Sequence, residues 1–468
     1  MIDKHLHNRF LHYLGHAPTA DQALLLDALI ACITNPKEKE LILIKGYAGT
    51  GKTLIISSLV KLLSEKGIPT ILLSPTGRAA KVFSSYANAP AYTIHKKIYR
   101  QRSSADGFGH FVLNINLHTD SFFIVDEASM IPDSSPDMQM FGSGKLLSDL
   151  IDYVYSGKNC RLILSGDTAQ LPPVGLDISP ALDVEVLKKH GLSIREFNLT
   201  QVVRQAFSSS ILHDATEIRR HINKKTPDTL QLKNTGDIEC INHEDLLEKL
   251  TLAYDKEGMD NVMVICRSNK QANRYNEAIR RTILWQEEPL ASGDMIMIVK
   301  NNYHWLPPES ETGFLANGDI ARITRIHKYH RMYDYLFADV TIEMPDYDNY
   351  RYDVRILVDT LQKEGPSLSA EENKAFFFKV AEDYRDEKTK KKIFRKVRED
   401  DFFNALQIKF AYATTCHKAQ GGQWKHVFID QGYLSSEQHN IEYLRWLYTA
   451  YTRATERLYL ITNNKKKA

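Results

Sequence analysis

Cysteine is scarce in this 468-residue chain: Cys32, Cys160, Cys240, Cys266 and Cys416 lie far apart, with no Cys-x-x-Cys pair. That excludes a disulfide-stapled miniprotein and a zinc site of closely spaced ligands, and an odd, scattered set suits a reducing compartment. Long apolar runs are missing too. None approaches the roughly 18 residues of a membrane span, and the N-terminal MIDKHLHNRFLHYLGH has no apolar signal-peptide core. The expectation is a cytoplasmic protein with no membrane partner. Charge of one sign is also lacking. Sixty Lys+Arg against 58 Asp+Glu leave +2, so any nucleic-acid surface must arise from local clustering. Gly (23) and Pro (16) are too few for collagen-like or disordered character.

What is present is a folded-protein composition, 43% hydrophobic and 25% charged, at a length that predicts about three domains. Short β-rich apolar runs at 41–44, 70–73, 122–125 and 162–164 alternate with helix-compatible segments such as 54–63. The rhythm resumes at 262–266, 270–281, 427–430, 441–451 and 458–461. Alternation of this kind predicts parallel sheets with covering helices, here two α/β units. Two stretches break it. Residues 86–120 are polar around Ser103-Ser104-Ala105-Asp106-Gly107 and predict a hairpin insertion. Residues 294–410 carry alternating runs near Asn317-Gly318-Asp319, then a charged helical segment over 371–398, and predict an inserted small β-barrel domain. The expected layout is a first α/β domain over 1–190, a second over 191–293 and 411–468, and the insertion between.

Gly46-Tyr47-Ala48-Gly49-Thr50-Gly51-Lys52-Thr53 follows an apolar strand and opens a helix, the context that gives a G-x-x-x-x-G-K-T pattern its mechanism. Small residues (Gly46, Ala48, Gly49, Thr50, Gly51) let backbone N–H groups wrap phosphates at a helix N-terminus. Lys52 is expected on the β- and γ-phosphates and Thr53 on Mg²⁺. Gly142-Ser143-Gly144-Lys145 lacks the first glycine and the strand, and reads as a loop. Asp126, at the end of the run 122–125, is placed to hold the Mg²⁺ shell, and Glu127 to act as general base toward water. Gln170, in Gly166-Asp167-Thr168-Ala169-Gln170-Leu171-Pro172-Pro173, is expected at the γ-phosphate or the water.

These segments, with Asp126-Glu127-Ala128-Ser129, Leu199-Thr200-Gln201-Val202-Val203-Arg204-Gln205, Thr415-Cys416-His417-Lys418-Ala419-Gln420-Gly421 and Tyr448-Thr449-Ala450-Tyr451-Thr452-Arg453-Ala454, occur in a fixed order. The chain thereby resembles superfamily 1 DNA helicases, most of all their RecD-like and Dda-like branch. The resemblance implies two RecA-like motor domains with ATP between them, a pin inserted in the first and a β-barrel in the second. It also implies that Gln22 reads adenine and that Arg204 and Arg453 reach the γ-phosphate from the second motor. A planar guanidinium suits spreading phosphoryl charge. Gly422-Gln423 stands where many relatives carry an acidic residue, which leaves the ribose contacts open.

For DNA, the resemblance implies contacts from Pro75, Thr76, Arg78 and His95 on the first motor and Thr415 and His417 on the second. Hydroxyls, amides and imidazoles suit phosphate and sugar without reading sequence. Phe108 and Phe111 flank the expected hairpin tip, where an aromatic either stacks on the last base pair or packs the hairpin against its own domain. The basic run from Lys388 to Arg398 is balanced by Glu382, Asp383, Asp386 and Glu387 and reads as a solvated face. The expectation is a monomeric ATP- and Mg²⁺-dependent DNA helicase acting on single-stranded DNA and duplex junctions, with 5′ to 3′ polarity implied by the branch. An RNA or RNA–DNA hybrid helicase, and a nucleotide-gated DNA-binding ATPase without unwinding, are the alternatives.

Overall fold

The computed structural model describes residues 3–102, 110–133, 141–203, 209–224, 230, 232–233, 235–306, 314–365, 367–432 and 440–462. Six parallel strands form the first sheet, in the order Ala91–Thr93, Thr70–Ser74, Phe122–Val125, Arg161–Gly166, Glu40–Gly46 and Ser193–Leu199. The apolar runs of the inner strands Glu40–Gly46, Phe122–Val125 and Arg161–Gly166 are nearly continuous because both faces are covered. Leu41, Leu43, Ile71, Leu73, Phe123 and Val125 enter one core. Ile42, Ile44, Leu72, Phe122 and Ile124, one residue out of phase, enter the other.

The second sheet is also parallel, in the order Ala413–Thr415, Val262–Cys266, Trp424–Asp430, Ala454–Ile461 and Ile238–Ile241. Between its strands lies a closed five-stranded barrel of Met295–Ile298, Ile320–Met332, Tyr335–Met344, Tyr350–Leu357 and Leu406–Phe410. One core runs through both, from Val262 and Phe428 to Ile296, Ile342 and Ile408. The charged segment after the barrel's fourth strand forms two helices, Ala370–Ala381 and Lys390–Glu399, packed on the barrel through Phe337, Phe376 and Val397.

Two expected boundaries shift. The first α/β unit does not end at 190, because Ser193–Leu199 pairs along its whole length with Glu40–Gly46. The hairpin is narrower than 86–120: residues 77–87 are helical, Ala91–Thr93 joins the first sheet, and among the described residues Tyr99–Arg102 and His110–Leu113 pair as an antiparallel ribbon. Gly142 to Lys145 is a loop as expected, tied by the Ser143 N–H and hydroxyl to Asp149 at 3.0 and 2.7 Å. Among the described residues, no helix is long and apolar enough to cross a membrane.

Candidate functional site

The P-loop joins strand Glu40–Gly46 to helix Lys52–Glu65. Gly51 takes a φ of +83°, and a Cβ there would lie 2.5 Å from Gln22 Nε2; at Gly46 it would meet Lys52 Cγ at 2.8 Å. Glycine is therefore required at both positions by close approach, and at Gly51 also by its φ. Lys52 Nζ donates to the carbonyls of Gly46 and Tyr47 at 2.6 and 3.0 Å, and the Thr50 hydroxyl to Tyr47 O at 2.8 Å. The ammonium is thus held at the mouth of the loop by weak neutral partners. Thr53 is exposed and lines a cavity of about 650 Å³ shared with Tyr86, Arg78, Asp260 and Trp424.

Asp126 follows its strand directly, and the Tyr86 hydroxyl donates to its Oδ2. Glu127 adopts a φ of +56°, turning out of the strand line into a short helical turn. Burial pushes its carboxyl above the ordinary range, aided by Asp126 and Asp167 and opposed by Arg453 and Lys52. Gln170 is buried, and its Oε1 has no hydrogen-bond partner. An orphaned buried acceptor is costly and marks a place where a donor is missing.

The second motor closes on this loop through the helix Ile441–Tyr451. Tyr448, 1% exposed, accepts the Ala48 N–H at 2.8 Å and donates to Asp167 Oδ2 at 2.6 Å. Thr449 Oγ1 accepts from Leu171 N–H at 2.9 Å, and Gln420 Nε2 donates to Leu171 O at 2.7 Å. Arg453 is 3% exposed and donates to Thr449 O, Gly422 O and Thr452 Oγ1, each at 3.1 Å. Among the described residues no carboxylate pairs with it at salt-bridge distance, although its charge is felt at Glu127. Tyr448, Thr449, Gln420 and Asp167 lie inside recognised motifs, yet sequence reading gave them no role.

Other expected residues sit differently. Gln22 accepts the Thr19 N–H on Oε1 and donates from Nε2 to Thr50 O, each at 3.0 Å, so it braces the P-loop. Arg204 lies outside the described residues; Val203 N–H donates to Gly49 O at 3.0 Å. The Arg78 guanidinium lies 4.2 Å from the Trp424 ring centroid and reaches Gln423 O, between the two motors, with its Nε unpartnered. His95 is half-buried among Tyr99, Phe141 and Phe314, and burial lowers its imidazole to about 4, so it is neutral and carries no charge toward phosphate. Phe111 is 9% exposed and stacks on Phe141 at 4.8 Å, with Tyr303 of the barrel insertion at 4.7 Å. It packs the hairpin and is not offered to a base. Phe108 lies outside the described residues.

Pro75 and Thr76 lead into helix Gly77–Ala87, where Thr76 Oγ1 caps Ala79 N–H at 3.2 Å. A Cβ on Gly421 of the second motor would come within 3.3 Å of Thr76 Oγ1, so the two motors meet at this loop. Thr415 precedes the short helix Cys416–Ala419 with no side-chain cap bond, and His417 is exposed. Burial lowers the neighbouring Lys418 to about 8.

A P-loop lysine with only carbonyl partners, a buried acceptor without a donor, a carboxyl of raised pKa and a buried unpaired arginine from the opposite sheet fit a nucleoside triphosphate with its divalent ion. They define a two-motor P-loop protein. Residues 20–243 match the family model described as an AAA domain, and residues 410–461 that of the UvrD-like helicase C-terminal domain. The ATP-dependent RecD2 DNA helicase of Deinococcus radiodurans is 30% identical over 195 residues, 42% of this chain and 23% of its own length. The ATP-dependent DNA helicase dda of Enterobacteria phage T4 is 25% identical, covering 84% of this chain and 88% of its own. An uncharacterized protein of Methanocaldococcus jannaschii is 26% identical over 94% of this chain, which spans 38% of that relative's length. The AAA-domain match in the first motor and the UvrD-like helicase C-terminal match in the second, together with the RecD2 and dda relatives, support a superfamily 1 helicase of the RecD and Dda type.

Proposed function

We propose that the protein is an ATP-dependent DNA helicase that moves along single-stranded DNA, 5′ to 3′, and separates duplex at a junction, acting as a monomer. The observation that supports this is the shared cleft, in which Tyr448 of the second motor bonds Ala48 and Asp167, Thr449 and Gln420 bond Leu171, and the charge of Arg453 is felt at Glu127. ATP with Mg²⁺ supplies the transferable phosphoryl group. Lys52 and the P-loop amides hold the phosphates, Thr53 and Asp126 hold the ion, and Glu127 takes the proton of the attacking water. Burial raises its carboxyl above the ordinary range, which makes it a stronger proton acceptor than an exposed glutamate. Gln170 orients the water, and Arg453 meets the charge that develops on the γ-phosphoryl oxygens. Arg204 is assigned the same task from its motif. Arg453 serves the first motor's site only while the second motor rests on it, so hydrolysis depends on the closed cleft.

Thr76 and Thr415 with His417 form the two DNA-gripping points, one per motor, and closure changes their separation. The names borne by the RecD2 and dda relatives support DNA over RNA as the track. The test is unwinding of duplexes with a 5′ or a 3′ single-stranded tail, of DNA and of RNA, with ATP and Mg²⁺ supplied or withheld. ATP-dependent separation of the 5′-tailed DNA duplex is expected. Preference for the 3′ tail overturns the polarity, preference for RNA overturns the substrate, and ATPase without strand separation leaves only a nucleotide-gated binder.

A further inference from the structure

Away from the cleft, Glu257, His426 and Glu456 converge although 30 to 199 residues separate them in sequence. Their ligand atoms all lie within 4.8 Å of one another. Each is placed by a distinct element. Glu257 ends helix Leu246–Glu257, where the helix dipole is negative and favours a cation. His426 is the third residue of strand Trp424–Asp430, and Glu456 the third of the neighbouring strand Ala454–Ile461. The pairing runs Trp424 to Ala454 and then His426 to Arg457, so one extra residue bulges at Thr455-Glu456. A bulge re-aims a side chain, and here it carries Glu456 to the face of His426.

The second observation is His426 itself. It is 4% exposed, and neither ring nitrogen has a hydrogen-bond partner. A buried imidazole with two idle nitrogens is expensive to fold unless something fills one of them. Meanwhile Lys425 Nζ lies 2.7 Å from Glu257 Oε2 and 3.6 Å from Glu456 Oε1. A monovalent ammonium already draws these two carboxylates together, and its side chain is 43% exposed, free to swing into solvent.

We propose that Glu257, His426 and Glu456 form a binding site for a divalent transition metal of the zinc class, in which the cation replaces the Lys425 ammonium between the carboxylates and takes one nitrogen of His426 as its third protein ligand. One imidazole and two carboxylates suit zinc, with water in the fourth position, and do not suit magnesium or calcium, which take oxygen alone. Metal–ligand distances of about 2.0–2.2 Å put tetrahedral ligand atoms about 3.4 Å apart. The contraction from the present spacing falls to Glu456, whose side chain is 48% exposed. No hydrolytic step is assigned to the site. It joins the end of one helix to two strands, and the Met259–Asn261 turn beyond Glu257 lines the cavity that Arg78 and Thr53 share.

The experiment titrates Zn²⁺ into the purified full chain against a chromophoric chelator, with millimolar Mg²⁺ present to saturate the nucleotide site. Wild type should take up one equivalent and melt at a higher temperature with Zn²⁺ than without. Glu456→Gln and His426→Gln should each weaken the affinity about tenfold or more, and Lys425→Met, which removes the ammonium between the two carboxylates and leaves Lys256 on Glu257 Oε1 at 3.1 Å, should tighten it. Glu456→Gln and Lys425→Met alter exposed side chains, so an unchanged melting temperature without metal separates loss of the site from loss of fold. Co²⁺ in place of Zn²⁺ should give a visible tetrahedral absorption band in wild type that His426→Gln removes. No uptake in wild type, or equal affinity in Glu456→Gln and Lys425→Met, as exposed Cys240 would give by binding the ion elsewhere, overturns the assignment.

Discussion

Two of the places where the first motor meets the rest of the chain, the P-loop and the root of the hairpin, differ in material. At the P-loop, hydrogen bonds of Tyr448 with Ala48 and Asp167, and of Thr449 and Gln420 with the N–H and C=O of Leu171, stand beside the packing of Ala169 and Leu171 into the second motor's core. At the root of the hairpin the contacts are rings: His95, Tyr99, Phe111 and Phe141 of the first motor packed with Tyr303 and Phe314 from the barrel insertion. A net hydrogen bond is worth about 0.5–1.5 kcal/mol and can be exchanged for one to a ligand. A close-packed aromatic cluster has no such intermediate states. The comparison teaches where motion is cheap. We expect the hydrogen bonds at the P-loop to exchange with nucleotide and the ring cluster to keep the hairpin on the barrel.

Removing a ring should damage the second junction most. Phe111→Ala is expected to cost about 3–5 kcal/mol of stability through the cavity it leaves, read as a fall in melting temperature. Loss of unwinding with unchanged stability would show instead that the ring works on a base. Phe108→Ala is the converse test, expected to spare the melting temperature and cut unwinding more than ATPase. At the polar junction, Lys52→Ala should lower ATP turnover by about 10²–10³-fold or more, with the melting temperature unchanged. Undiminished DNA-stimulated ATPase would remove the phosphate assignment.

Tyr448→Phe is a smaller perturbation, about 0.5–1.5 kcal/mol, and sharpens the contrast. It frees the Ala48 N–H and one side of Asp167 without touching the core, so nucleotide affinity should change while thermal stability barely moves. The smallest effect is that of pH. The folded His95 imidazole sits near 4, below its ordinary value of 6.5, so between those two pH values the unfolded chain binds more protons. Stability from this group is complete above about 6.5 and is lost as pH falls toward 4. His95→Phe should flatten that part of the stability profile, and a profile of unchanged slope would contradict the burial of a neutral ring.

Much of this was legible because parallel strands covered on both faces leave unbroken apolar runs, as at Leu41 to Ile44 and Phe122 to Val125. The P-loop was legible because glycine is enforced by close approach at Gly46 and Gly51. The boundary near 190 misled because Ser193–Leu199 is an edge strand with polar residues in half its positions and no apolar run. Arg78 and His95 read alike whether they meet phosphate or an aromatic face, and only packing against Trp424 and Phe141 decides. Phe111 was readable both as wedge and as packing, and its burial selects the second. The Glu257–His426–Glu456 cluster was invisible because three remote segments supply one ligand each.

The central claim is that closure of the polar junction around ATP drives the grip on DNA. Its most direct test is the affinity for single-stranded DNA with and without a non-hydrolysable ATP analogue, in wild type and in Arg453→Ala, with Arg453→Lys controlling for loss of the buried packing. Wild-type affinity should respond to the analogue, and Arg453→Ala should bind both ligands yet lose that response. If wild-type affinity ignores the analogue, or Arg453→Ala responds as fully as wild type, the account of coupling is contradicted.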